Sequence, residues 1–349
     1  MKALSICIPT YNRASFLKEA LESVFSQIEE INQDEIEIVI SDNASHDDTF
    51  EIVKSFQKVA RAPIIYHRNE ENLGFDRNIL KVVEKASGRY GWLLGDDDRL
   101  APGAIKTVLK EISRHPEIDL FLGNRMDFNL TFSHRFRFVA VLKNDAEEIF
   151  DFRKITILSY LKKVRKLTGI FSYISNLVFK REKWLQVVPP EKFIGTGYVN
   201  VYMFMALLWE KDRGILKYLP DKIVQTRWGN DRGLESKSHF ERVKMDVESF
   251  HTIAEYILKE PKLVRKVDNL VLKNDGFSWT VRARIACGID FYRKVFPYLL
   301  KRYWSFPLFW GKVFPLVFLP VSLVKIMRWT YRKFIKQEPL SFAEIIKYE

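Results

Sequence analysis

The feature that most constrains the fold is an alternation: in the first 125 residues, short apolar runs end in polar clusters and lead into helical patterns. Residues 3–8 form an apolar run that meets the breaker and cap cluster Pro9-Thr10-Tyr11-Asn12. Phe16, Leu17, Ala20, Leu21, Val24 and Phe25 then recur at helical spacing. Residues 36–40 read as a second strand ending at Ser41-Asp42-Asn43, residues 49–59 as a helix and residues 64–66 as a third strand. Asn72-Leu73-Gly74 is a turn, residues 76–86 a helix closed by Ser87-Gly88, and residues 90–94 a fourth strand. A helix over 101–113 follows, with Pro102 in its first turn. Strands alternating with helices of about ten to fifteen residues predict an α/β fold, a mainly parallel sheet with helices on both faces. Ligands of such sheets bind beyond the carboxyl ends of the strands. The clusters at 9–13, 42–48, 72–78 and 96–98 all fall there.

The sharpest cluster is Asp96-Asp97-Asp98, directly after the fourth strand. Adjacent carboxylates at the end of a buried strand repel one another and call for a cation. Hard oxygens at that edge suit Mg²⁺ or Mn²⁺ holding a diphosphate. Taken alone, three acids in a row more often mark a solvated loop. Asp42 in isolation reads equally well as the cap of the helix after it, and Asn72 and Gly74 read as turn residues.

Beyond residue 118 the pattern is mixed. Residues 120–123, 136–142 and 215–225 look like strands, the last with a Pro interruption. Residues 152–167 and 198–209 look like helices, as do the long periodic stretches 239–259 and 261–287. The 47% hydrophobic and 14% aromatic content excludes a disordered chain. Cys7 and Cys287 form no CxxC pair and read as two buried free thiols of a reducing compartment. The start of the chain has no signal-peptide pattern, which predicts a cytosolic location. The net charge of +12 would suit a nucleic-acid binder were it spread over the chain. Instead residues 291–337 carry ten Lys/Arg and no Asp or Glu, among Phe, Tyr, Trp, Leu and Val. The longest charge-free apolar run there, 313–324, has twelve residues, against about twenty for a membrane crossing. Aromatic and basic residues without acids describe amphipathic helices lying in an anionic membrane surface. A spanning segment and an oligomer interface are the other readings of this tail.

The residues Leu4-Ser5-Ile6-Cys7-Ile8-Pro9-Thr10-Tyr11-Asn12-Arg13, Ile38-Val39-Ile40-Ser41-Asp42-Asn43-Ala44-Ser45, Asn72-Leu73-Gly74 with Arg77-Asn78, Gly88, and Leu93-Leu94-Gly95-Asp96-Asp97-Asp98 resemble the family 2 glycosyltransferases of GT-A fold. The order and spacing agree over roughly the first 115 residues. The resemblance implies a Rossmann-like sheet, a nucleotide-diphosphate sugar as donor, and Mn²⁺ or Mg²⁺ bridging its phosphates. It places Pro9, Tyr11 and Arg13 along the nucleotide pocket, Asp42 against the base and Arg77 nearby. It gives Asp96 the ribose or a metal-bound water, and Asp98 the metal.

Inverting relatives usually carry an acidic pair at a helix start about ninety to a hundred residues later, as general base. Here that stretch, Phe193-Ile194-Gly195-Thr196-Gly197-Tyr198-Val199-Asn200, contains no acid. Glu191 and Glu210 are the substitute candidates. A subset of similar enzymes transfers dideoxy sugars, and a missing acid would fit such a departure. In the loop Arg227-Trp228-Gly229-Asn230-Asp231-Arg232, Arg227 and Arg232 could clamp the donor diphosphate while Trp228 stacks on sugar or acceptor. An ordinary surface loop is the plain alternative. No GxSxG, P-loop or zinc spacing occurs.

The expected organisation is a catalytic domain over 1–235, with a donor half at 1–115 and an acceptor half at 116–235. A helical extension over 236–290 and a membrane-associating tail over 291–349 complete it. The expected activity is transfer of a hexosyl or deoxyhexosyl unit to a polyprenyl-diphosphate-linked glycan, in surface polysaccharide assembly. The protein would sit peripherally or monotopically at the cytoplasmic face of a membrane, with the tail also available for self-association. The competing readings are a catalytically idle nucleotide-sugar-binding scaffold and a nucleotidyltransferase of related fold.

Overall fold

The computed structural model describes residues 2–136, 138, 140–210, 213–228 and 238–335. The described residues of 1–127 and 140–227 form one compact unit, and those of 128–139 and 228–349 a second.

The first unit begins with β1 (Leu4–Thr10), α1 (Ala14–Ile28), β2 (Ile36–Asp42), α2 (Thr49–Val59), β3 (Ile64–Arg68), α3 (Phe75–Glu84) and β4 (Tyr90–Leu93). These four strands lie side by side in the order β3-β2-β1-β4, all parallel. Every position of β1 and β2 is buried, as expected of parallel strands covered on both faces. One cover is α1, which buries Leu17, Ala20, Leu21, Val24 and Ile28 at spacings of three and four. Of these, Leu17, Leu21, Val24 and Ile28 join Ile6, Ile8, Ile38, Ile40 and Trp92 in one apolar core. Each such fully buried side chain contributes about 1.5–3 kcal/mol of transfer free energy. Pro9 is accommodated inside β1 because pairing with β4 stops at Cys7↔Leu93, so no ladder bond on that side is lost.

The second half of the sheet turns antiparallel. It contains β5 (Arg99–Leu100), α4 (Ala104–Arg114), β6 (Leu120–Phe128), β7 (Glu148–Asp151), α5 (Ile157–Lys163), β8 (Leu177–Lys180), α6 (Arg181–Leu185), α7 (Val199–Trp209) and β9 (Ile215–Arg227). The order continues β4-β8-β6-β9-β5, with β7 also on β9. The pairs β4–β8, β6–β8, β5–β9 and β7–β9 are antiparallel. The parallel sheet expected from the sequence is thus one half of a mixed sheet with helices on both sides. All eleven residues of α7 are buried, the signature of a helix wrapped by protein on every side.

Four local expectations need correction. The helix expected from residue 101 begins at Ala104, after Gly103 takes a left-handed φ of +74°. Residues 136–142 form no strand among those described. Val141 and Leu142 are buried, but the Val141 N–H goes to the Asn124 side chain and its carbonyl accepts from Arg165 and Lys166. The helix expected over 152–167 shrinks to α5, because the chain first completes β7 and later makes a 3₁₀ turn at Leu167–Ile170. Pro220 does not interrupt β9. Cys7 is buried and Cys287 only half-buried; both are free thiols.

The second unit contains α8 (His239–Leu258) and α9 (Pro261–Ala286). Ser238 and Glu241 close a capping box at the start of α8, and Pro261 opens α9. The short helices α10 (Phe296–Tyr303), α11 (Phe314–Phe318) and α12 (Val321–Thr330) follow. Each opens at a proline, Pro297, Pro315 or Pro320. No helix among the described residues is long and apolar enough to cross a membrane.

Candidate active site

The polar tips of β1, β2 and β4 are built as one interlocked edge. Asn12 takes a left-handed φ of 52° after β1, and Ala44 one of 64° after β2. The two turns hold each other: the Asn12 N–H donates to Ser45 Oγ at 2.9 Å, and the His46 N–H to Asn12 Oδ1 at 2.7 Å. Asp47 ties the first turns of both following helices together, accepting from the Ala14 N–H at 2.8 Å and the Thr49 N–H at 3.2 Å. Asp42 does not cap α2: the N-cap position is Asp48, which makes no side-chain cap bond, and the Thr49 N–H is met by Asp47.

Asp42 is buried and accepts from the Ser45 N–H at 2.9 Å and the Tyr66 hydroxyl at 2.6 Å, with Arg68 Nε at 3.8 Å. Burial, then the Asp42 carboxylate, push the Tyr66 hydroxyl upward. Beside it runs a buried amide network. Ser41 Oγ donates to Asn78 Oδ1, the Asn69 amide to Asn43 and Asn78, and the Asn43 amide to Asn72. Asn72 also accepts from the Gly74 N–H, where φ is +80°, so its turn role is real.

The acid run leaves β4 beside this network. Asp96 is 5% exposed and accepts from Thr10 Oγ1 at 2.8 Å and Arg13 Nη1 at 3.0 Å. The same Arg13 nitrogen lies 3.4 Å from Asp97. Asp98 is 3% exposed. Its Oδ2 accepts from Ser175 Oγ at 2.5 Å and from the Tyr173 hydroxyl, and its Oδ1 from the Arg227 N–H at 3.3 Å. Burial, with the neighbouring Asp97 charge adding to it, raises Asp98 to about 7. Burial also raises Asp96 to about 6 against the opposing pull of Arg13. Burial works against the Arg13 charge as well, but Asp96 and Asp97 keep it more firmly protonated than usual. The edge is a set of hard carboxylate oxygens whose burial outweighs the positive charge nearby, and this donor set fits a hard divalent cation.

A second acid–histidine group, Glu111, His115 and Glu147, gathers its ligand atoms within 4.8 Å. It is already served by a cation: Lys217 Nζ lies 2.5 Å from Glu111 and 2.8 Å from Glu147.

The remaining expected residues are placed as follows. Pro9 is buried within β1, and Tyr11 is 38% exposed at its tip. Arg77 pairs with Glu191, both exposed. Glu210 caps the far end of α7, about 16 Å along the axis from its start. The Arg227 guanidinium is 3% exposed, bonded to Glu19 at 2.5 Å and to the Asp97 carbonyl at 3.1 Å, over the Phe16 ring. Its backbone, not its side chain, reaches Asp98. Arg232 and the loop residues Gly229, Asn230 and Asp231 lie outside the described residues.

Sequence reasoning missed Thr10, Glu19, Asp76, Tyr173 and Ser175. Asp76 is buried and accepts from the Gly197 N–H at 2.9 Å and the Val199 N–H at 3.3 Å. It brings a carboxylate to the acid-free start of α7 from another helix. Thr10 and Asp76 stood inside the recognised clusters 9–13 and 72–78; Glu19, Tyr173 and Ser175 stood in none.

The family model for glycosyl transferase family 2 matches residues 5–181. The chain is 33% identical over 291 residues to the abequosyltransferase RfbV of Salmonella typhimurium, covering 82% of this chain and 84% of that one. It is 32% identical over 111 residues to the GalNAc(5)-diNAcBac-PP-undecaprenol beta-1,3-glucosyltransferase of Campylobacter jejuni, covering 32% and 35% of the two chains. Among solved structures it is similar to S. aureus TarS 1–349 in complex with UDP, with a TM-score of 0.57, 18% identity, and 82% and 75% of the chains covered. A mannosyltransferase from Pyrobaculum calidifontis in complex with GDP-Man and Mn²⁺ aligns at a TM-score of 0.50 and 14% identity, over 77% and 67%. With its GT-A-like sheet and acid edge, the chain belongs to glycosyl transferase family 2 and is a glycosyltransferase.

Proposed function

We propose that this glycosyltransferase is metal-dependent and moves a sugar from a nucleotide-diphosphate donor to a polyprenyl-diphosphate-linked glycan at a membrane surface. The observation that carries the metal reading is the pair of buried carboxyls, Asp96 and Asp98, raised out of the ordinary carboxylate range at the tip of β4. Asp98 and Asp96 would hold Mn²⁺ or Mg²⁺, which when bound supplies Lewis-acid neutralisation of the leaving diphosphate. The chain's own residues prepare the site. Thr10 and Arg13 fix Asp96, and Asp97 shares the Arg13 charge. Asp42, Tyr66 and the amide network shape the floor on which a nucleoside would sit, with Tyr11 and Pro9 along its edge.

The likeness to an abequosyltransferase over most of both chains puts deoxyhexosyl donors first among the candidates. The likeness to an enzyme of undecaprenol-linked glycans supports the lipid-linked acceptor. Of the two carboxylates expected as base, Glu191 lies near the start of α7, where Asp76 and Arg77 converge, while Glu210 lies at its other end.

The test is a thermal-stability screen with UDP, GDP, CDP and dTDP, each with and without Mn²⁺, since a ligand of the native state raises its melting point. One nucleotide should stabilise the protein strongly, and only with the ion. Its sugar conjugate should then be turned over with a lipid-linked acceptor. Stabilisation indifferent to Mn²⁺, or turnover retained in EDTA, would sink the metal reading.

A further inference from the structure

We propose that Tyr173 and Ser175 are positioning residues that hold the Asp98 carboxylate in the orientation which receives the divalent ion; this rests on the metal-dependent reading above. Neither residue belongs to a motif. Sheet register brings them to the acids. β8 runs antiparallel to β4 with Tyr90 opposite Lys180 and Trp92 opposite Val178. The chain entering β8 therefore travels back along the chain leaving β4. Ser175 accepts from the Gly95 N–H at 2.9 Å and donates to Asp98 Oδ2 at 2.5 Å, and Tyr173 donates to that same oxygen.

Two hydroxyl donors occupy the acceptor capacity of Oδ2. Oδ1, which takes only the longer contact from the Arg227 N–H among the bonds described, keeps capacity for a ligand. The donors are themselves held rigidly. The Ser175 carbonyl accepts from the Trp92 indole at 2.8 Å, and the neighbouring Asn176 exchanges bonds with Gly123. Ser175 and Asn176 are fully buried. Arg125 lies 4.4 Å over the Tyr173 ring and pairs with Asp127 at 2.9 Å; Asp127 accepts from Thr226 at 2.9 Å, next to Arg227. A closed path thus runs from Asp98 through Tyr173, Arg125, Asp127 and Thr226 to the Arg227 N–H and back to Asp98. Partners of this kind orient metal-binding carboxylates, and their loss weakens metal affinity by about 10–100-fold.

The experiment measures Mn²⁺ binding by titration calorimetry, with the full chain and the nucleoside diphosphate that stabilises it most. Wild type, Tyr173→Phe and Ser175→Ala are compared after circular dichroism establishes that all three are folded. Each variant should bind Mn²⁺ at least about tenfold more weakly. Each should keep its affinity for the nucleoside diphosphate once Mn²⁺ is saturating. That split separates positioning of Asp98 from general loosening, which would weaken both. Wild-type Mn²⁺ affinity in both folded variants overturns this proposal and leaves the metal reading standing. Failure of the wild type to bind Mn²⁺ overturns the reading beneath it, and this proposal with it.

Discussion

At Asp98, burial disfavours the charged carboxylate and the Asp97 charge adds to that, an effect with a sign that can be measured. Its carboxyl is raised from 3.8 in the free residue to about 7 in the fold. A carboxyl with a raised folded pKa contributes stability that is fully present below the unfolded value and is lost as pH rises through the folded one. In EDTA, the melting temperature should therefore fall between about pH 4 and pH 7 through this group, with Asp96, raised to about 6, adding to the decline. Asp98→Asn, which stays uncharged, should show a shallower decline in the same scan. Mn²⁺ must displace any proton from its ligands, so its affinity should climb across this window. With Mn²⁺ present, the decline should shrink or reverse in the wild type and persist unchanged in Asp98→Asn. Identical pH profiles for the two proteins in EDTA would contradict the burial account. Sugar transfer by Asp98→Ala should fall by about 100-fold or more, since even outer partners of a metal ligand cost about 10–100-fold.

At the scale of elements, the turn before α7 is held from outside by α3. Gly195 and Gly197 adopt φ of +83° and +75°, and a Cβ at either would meet nothing within 4 Å. Gly195→Ala should nonetheless destabilise by about 1–2 kcal/mol, because the cost is backbone strain rather than crowding. Asp76→Ala leaves the Gly197 and Val199 N–H groups without their acceptor and should cost about 1–3 kcal/mol. Urea denaturation of both variants checks these figures, and a loss near zero for Asp76→Ala would remove its clamping role. The same elements show what was legible. Strands β1, β2 and β4 and helices α1, α8 and α9 could be read because their periodicity is long or their apolar runs unbroken. β7 and β8 have four residues each and no marker like the acid run that follows β4, and Val141 and Leu142 are buried like a strand while the bonds of Val141 go elsewhere. The acids were visible as a run, but the hydroxyls that orient Asp98 come from a segment defined only by antiparallel register. Asp76 stayed hidden for a similar reason: the acid sought near residue 195 arrives from α3.

At the scale of the whole molecule, the basic excess and the exposed aromatic side chains coincide. Residues 291–337 hold ten Lys/Arg against no acid. Among their large apolar side chains, Trp304 is 65% exposed, Phe318 70% and Phe334 60%. Other faces of the same helices are well packed: Phe291, Val295, Leu299, Tyr303, Phe309 and Val324 are buried. The exposed aromatics are therefore not the residue of poor packing, and among cations they suit an anionic leaflet, where each Lys or Arg contributes about 1 kcal/mol. Co-sedimentation of the intact chain with vesicles separates the two contributions. Binding should be strong to vesicles containing phosphatidylglycerol and weak to pure phosphatidylcholine. It should fade as salt shortens the Debye length from about 10 Å at 0.1 M to about 3 Å at 1 M. The triple variant Trp304→Ser, Phe318→Ser, Phe334→Ser should bind less at every salt concentration while still being stabilised by nucleotide and Mn²⁺. If wild type and triple variant sediment alike at high salt, the aromatics insert nothing and the attachment is purely electrostatic. If the intact chain ignores anionic vesicles altogether, these helices serve another surface, and a lipid-linked acceptor would have to be met without an anchor.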